Sequence, residues 1–222
     1  MRYFVIIVGI VSVLFSGTAA AKTPVKLFNG KDFSGWYAFE PGVGKQSNAS
    51  KLFTVDQKMI RLYGEKAGYL MSKKSYRNFQ LLVEYRWNMD TSFVRKSQTK
   101  NSGIMYLVPE KTPDMLWPRG IQFQIKEGST GDFVLLQEVT MEVDGKVNTP
   151  GKSVVRERFE DAEKPAGEWN TILITSDHGR IRQELNGVPV NEGLNPSVTH
   201  GRILLQYEGF PIDFRRIEIV EF

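Results

Sequence analysis

Beyond residue 21 the apolar positions recur mostly at every second residue, the period of a strand with one dry and one wet face. The longest such run is Asn78 to Asn88. Phe79, Leu81, Val83, Tyr85 and Trp87 share one face; Gln80, Glu84, Arg86 and Asn88 take the other, with Leu82 the exception. A second run, from Arg119 to Lys126, sets Ile121, Phe123 and Ile125 against Gln122, Gln124 and Lys126, then enters the glycine-punctuated loop from Glu127 to Asp132. Two consecutive outward glutamines are unusual where charges or threonines are the rule. Side-chain amides donate and accept together, so the pair suits a hydroxyl-rich ligand such as a sugar; the alternative is a solvated strand and its turn.

Shorter runs predict further strands. Leu52 to Asp56 and Met59 to Tyr63 read as a hairpin turning at Asp56-Gln57-Lys58. Gly68 to Met71, Asn101 to Val108, Phe133 to Leu136 and Thr140 to Val143 follow. A meander comes next, from Trp169 to Ser176, Ile181 to Leu185 and Val188 to Val190, with turns at His178-Gly179 and Asn186-Gly187. Arg202 to Tyr207 and Phe214 to Phe222 close the chain. Residues 25–39 predict two short strands about an Asn29-Gly30 turn, and Glu40 to Ser50 a loop. No helical period lasts more than a turn or two, and there is no repeat or linker. The expected fold is all-β, a two-sheet antiparallel β-sandwich, with residues 22–222 as a single domain.

Residues 1–21 stand apart. Arg2, the apolar run Tyr3 to Phe15 and the small residues up to Ala21 predict a signal peptide cleaved before Lys22, and hence a periplasmic or secreted bacterial protein with no membrane span after cleavage. There is no cysteine, so the exported domain has no disulfides and rests on its core alone. A net charge of +4, spread along the chain, argues against nucleic acid as a partner. With two histidines, His178 and His200, a three-histidine zinc site is impossible; no cofactor requirement is evident, although a carboxylate-bound divalent cation such as calcium is possible. Neither a nucleophile elbow nor a phosphate-binding glycine loop is present.

Alternation nominates a polar set from several strands: Glu84, Asn101, Gln122, Gln124, Gln206 and Glu208. Glu208 follows Gln206 at the spacing that keeps both on one face, and Glu127 stands at the mouth of its loop. Each is either a catalytic carboxylate or a solvated strand end. Arg119 is a candidate for a developing oxyanion, and Asp132 either binds ligand or caps its own turn. Gly103 either admits a ligand to the backbone or marks a bulge. Tyr106 and Trp117 are candidate sugar-stacking platforms, whereas Trp36, Trp87 and Trp169 fit the core.

Seven segments in order carry a resemblance to a known family. They run from Leu27 to Trp36, Asn101 to Ile104, Gly120 to Glu127, Gly167 to Asn170, Leu185 to Gly187, Leu204 to Gly209 and Phe214 to Ile217. Together they resemble the 3-keto-disaccharide hydrolase domain family, over essentially the whole mature chain. The resemblance implies a concanavalin A-like jelly roll whose concave sheet holds carbohydrate. It also implies cleavage of glycosides already oxidised at C3 by a partner oxidoreductase. A C3 ketone acidifies the C2 proton, so a base removes it, the C1 substituent leaves, and hydration completes a net hydrolysis. Glu127 or Glu208 would be base or acid, with Arg119, Gln122, Gln124 and Asn101 orienting the sugar. The chain departs from the family pattern at Gln122, where an acidic residue is common, and at Arg216, where asparagine is common. A noncatalytic carbohydrate-binding module on the same fold is the alternative.

Overall fold

A computed structural model describes residues 22–64 and 66–222; the expected signal peptide lies outside the described residues. The alternating runs pair into two sheets. One has eight strands in the order β13 (Ser153–Arg156), β10 (Phe133–Leu136), β9 (Gly120–Lys126), β8 (Asn101–Val108), β17 (Gly201–Tyr207), β6 (Gly68–Tyr76), β2 (Trp36–Glu40) and β3 (Gly44–Gln46). The other has ten. Nine run in the order β12 (Lys146–Val147), β11 (Glu142–Val143), β16 (Val188–Leu194), β15 (Arg180–Leu185), β14 (Asn170–Asp177), β7 (Phe79–Trp87), β18 (Ile212–Glu221), β5 (Met59–Leu62) and β4 (Thr54–Asp56). The tenth, β1 (Val25–Lys26), pairs with β18. Every pairing among the described residues is antiparallel.

The apolar faces meet between the sheets. Phe79, Leu81, Val83, Tyr85 and Trp87 of β7 join Ile121, Phe123 and Ile125 of β9 and Ile203, Leu205 and Tyr207 of β17 in one buried cluster. Each large side chain so buried contributes about 1.5–3 kcal/mol relative to exposure, which is how a chain without disulfides holds together. The turns expected at Gln57-Lys58, His178-Gly179 and Asn186-Gly187 all adopt positive φ, as tight two-residue hairpins require.

Three expectations fail locally. The Asn29-Gly30 segment is no hairpin: β1 pairs with β18 and β2 with β6, because Asn29 Oδ1 accepts from the backbone of Lys31 and Asp32 and closes a loop of its own. The loop from Glu40 to Ser50 contains β3, hydrogen-bonded to β2, and a 3-10 turn over Ala49–Lys51. Trp169 is outside the core. It lies on the outer face of the ten-stranded sheet between the guanidinium groups of Arg86 and Arg215, 4.8 and 3.9 Å from its ring centroid.

Candidate functional site

On the outer face of the eight-stranded sheet, strand register arranges side chains in rows. Tyr37 stands opposite Met71, Met71 opposite Leu204, Leu204 opposite Met105, Met105 opposite Gln122, and Gln122 opposite Val134. In the next row Phe39 faces Tyr69, Tyr69 faces Gln206, and Gly103 faces Gln124. Beyond it Asn101 faces Lys126, with Glu208 just past the end of β17. One face therefore carries an apolar half and a polar half, with Gln122 on the seam. Tyr37, Tyr69, Met71, Met105, Val108, Val134, Leu136 and Leu204 form a second buried cluster, with Phe39 and Trp117 packed against it.

The polar half is wired together. Asn101 Nδ2 donates to Glu208 Oε2 and Gln206 Nε2 to Glu208 Oε1, so each carboxylate oxygen is fixed by one amide. Gln122 Nε2 donates to Gln124 Oε1. Gln122 and Gln206 are 4% and 2% exposed, and the buried oxygens Asn101 Oδ1 and Gln206 Oε1 have no hydrogen-bond donor. A buried acceptor without a donor is costly, so these two atoms mark the polar half as a place where stability is given up. Burial pushes the Glu208 carboxyl above its usual range, opposed by the Asn101 hydrogen bond, the charge of Lys126 and the Gln206 hydrogen bond. A carboxylate raised in this way on a polar surface is suited to proton transfer.

Gly103 sits under this group. A Cβ there would fall 2.6 Å from Gln122 Nε2 and 2.7 Å from Gln206 Oε1. The space left by the missing side chain is thus filled by the two glutamines, not held open for a ligand. The ends of two buried, hydrogen-bonded side chains would have to move, so Gly103→Ala is expected to lower unfolding free energy by about 1–3 kcal/mol. It should also lower activity or sugar affinity by about 10²-fold at temperatures where the variant is folded, since the amides would be displaced by roughly an ångström. Parallel urea titration and ligand assays separate the two effects.

The structure thus brings Asn101, Gln122, Gln124, Gln206 and Glu208 together and leaves the other nominees elsewhere. Glu84 is on β7, in the opposite sheet, ion-paired with Arg215 at 2.6 Å and Arg216 at 3.4 Å. Tyr106 points between the sheets, fully buried, its hydroxyl accepting from Gln183 Nε2, so it offers no face to a sugar. Asp132 lies in the β9–β10 turn, where its carboxylate accepts from the backbone of Arg158 and pairs with that side chain at 3.6 Å. Glu127 is exposed and paired with Lys100. Arg119 reaches the carbonyl of Gln137 and Ser197 Oγ, away from the glutamines. Trp117 is half-buried and packs against the apolar half of the same face, beside the polar group and not within it. Among the described residues no three His, Asp or Glu side chains converge as metal ligands.

Sequence alternation missed the aromatic half, because both faces of β2 and β6 are apolar and give no period of two. Tyr37 and Tyr69 hydroxyls both donate to Asp114 Oδ1 at 2.7 Å, and Arg202 Nη1 donates to Tyr37 Oη at 2.8 Å. Arg202 Nη2 also donates to the carbonyls of Pro109 and Glu110. These bonds strap the 109–118 connection onto the sheet.

Comparison with known proteins follows the same lines. No protein with a curated description matches the chain. A candidate glycosyl hydrolase of Parabacteroides distasonis superposes with a TM-score of 0.63 at 23% identity, covering 90% of this chain and 94% of that one. A second from the same organism gives 0.60 at 20% identity, over 90% and 100% of the two chains. Bacillus licheniformis β-glucanase gives 0.56 at 12%, over 90% and 98%. At these identities the likeness is one of fold, and it establishes the glucanase-type jelly roll. Residues 23–220 match the family described as the 3-keto-alpha-glucoside-1,2-lyase-like domain, and the chain belongs to that family.

Proposed function

We propose that the protein cleaves 3-keto-glycosides by elimination across C1 and C2, with Glu208 as the base. Family membership supports the coarse assignment, a carbohydrate-active domain of the glycosidase type. The observation that carries the finer reading is the Glu208 carboxyl, raised by burial and aimed by the Asn101 and Gln206 amides. Glu208 takes the C2 proton, and negative charge moves onto the C3 oxygen. The side-chain amides of Gln122 and Gln124 would donate to that oxygen, and Lys126 adds positive charge at the same end. The C1–O bond then breaks and the leaving oxygen takes the proton held on Glu208, giving a 1,2-ene; water adds its OH to C1 and its H to C2, which yields the free 3-keto sugar. Gln122 has no basic carboxylate to offer, and Glu208, reached through Gln206 across Gly103, supplies one to the same surface.

Export, and a sugar-oxidising enzyme that installs the ketone, belong to the same reading. Aglycone release from a 3-keto-glucoside and from its unoxidised parent tests it. Release from the ketone alone is the expected result. Binding of both sugars with release from neither would favour the second reading, a noncatalytic carbohydrate-binding module, which the loss of acidity at Gln122 supports.

A further inference from the structure

The row that contains Gln206 continues outward through Tyr69 to Phe39. Their rings stack, with centroids 5.1 Å apart and planes inclined by 23°. Tyr69 is fully buried, whereas Phe39 is only partly so and keeps part of its surface open. We propose that Phe39, backed by Tyr69, forms the subsite for the leaving group, and that the subsite takes an aromatic aglycone instead of a second sugar. This inference rests on the reading of Glu208 as the centre at which the C1 substituent departs.

Two observations fix the chemistry. First, the two halves of the face differ in what they offer. On the β9 side of Glu208 stand Gln124 and Lys126, which donate hydrogen bonds and suit the ring hydroxyls of the retained sugar. On the β6 and β2 side stand the rings of Tyr37, Phe39 and Tyr69 and the thioether of Met71.

Second, the tyrosine hydroxyls of the aromatic side are already engaged. Both donate to Asp114 Oδ1, and Tyr37 Oη accepts from Arg202. The half-exposed ammonium of Lys45, opposite Phe39 and 3.8 Å from Asp114 Oδ2, is the donor that side still offers, so a second sugar placed there would lose hydration with few partners to replace it. An aryl group needs none, and gains from an offset ring contact.

Calorimetric titration of the intact protein with phenyl and methyl α-glucoside, and with a glucose disaccharide, tests the subsite. The phenyl glucoside is expected to bind about tenfold more tightly than the other two. Phe39→Ala should erase that advantage, and Phe39→Leu, which keeps apolar volume but removes the ring, should erase most of it. Equal affinities, no measurable binding of the phenyl glucoside, a disaccharide bound as tightly, or a phenyl advantage that survives both substitutions would each overturn the proposal. The titration needs neither ketone nor turnover. A phenyl preference in a protein that never releases aglycone would therefore sink the reaction and leave the subsite standing, and turnover without the preference would do the reverse.

Discussion

Glu208→Gln is expected to reduce kcat/KM for a 3-keto-glucoside by about 10²–10⁴-fold, the range lost when a general base is removed. The wild-type pH profile should show the same group. As a base Glu208 acts only when ionised, so kcat/KM falls as pH drops through its raised pKa, above the range of an ordinary glutamate. Asn101→Ala removes a hydrogen bond that favours the charged form, so the acidic limb should move to still higher pH. Stability responds with the opposite sense. The folded state holds the Glu208 proton more tightly than the unfolded chain does, so this group costs stability progressively as pH rises through the window between the two pKa values. Glu208→Gln should therefore gain on the wild type in thermal unfolding as pH is raised from 4 to 8, while its activity is lost. A substitution that only damaged the fold would lower both.

The largest effect on folding is expected at Asp213. Its carboxylate is fully buried on the outer side of the ten-stranded sheet, between β5 and β7. Oδ1 accepts from Arg61 Nε at 3.2 Å and Asn88 Nδ2 at 3.3 Å, and Oδ2 from Arg86 Nε at 3.1 Å. Asp213→Ala would leave the Arg86 guanidinium and the Asn88 amide without their acceptor, while Arg61 keeps Asp56 Oδ2 at 2.6 Å, and should cost about 3 kcal/mol by urea unfolding. Asp213→Asn keeps the shape and one acceptor, and should cost less. A loss below about 1 kcal/mol for the alanine variant would mean that the arginines turn to water without penalty.

The sequence pattern located the polar half of the site because that half sits on strands whose other face is core. Gln122 and Gln124 interrupt one apolar period and Gln206 another, which Glu208 extends by one step, so alternation pairs them strand by strand, and the register through β8 brings the two pairs to one surface. The same logic misplaced Glu84. It alternates as cleanly as Gln122, but a period of two says which residues share a face and nothing about which sheet the face belongs to. Tyr106 failed for a related reason: parity sends it inward with Ile104, and an aromatic ring gives no sign of direction by itself. The wall made by Tyr37, Phe39 and Tyr69 was hidden because both faces of β2 and β6 are apolar, one under the opposite sheet and one where Asp114 of the 109–118 connection holds Tyr37 and Tyr69 and leaves Phe39 partly open. Trp169 was misread because a tryptophan beside an apolar run reads as core, whereas here two arginines cover its faces.

If Glu208 removes the C2 proton, the C2–H bond breaks before the aglycone is free. A 3-keto-glucoside carrying deuterium at C2 distinguishes this from simple hydrolysis, with aglycone and the isotopic content of the sugar followed through the first turnovers. Release should be slower from the labelled substrate, the C2 hydrogen of the product should come from solvent, and substrate incubated with Glu208→Gln should keep its label. Release at an unchanged rate, with the deuterium still at C2 of the product, would contradict removal of that proton.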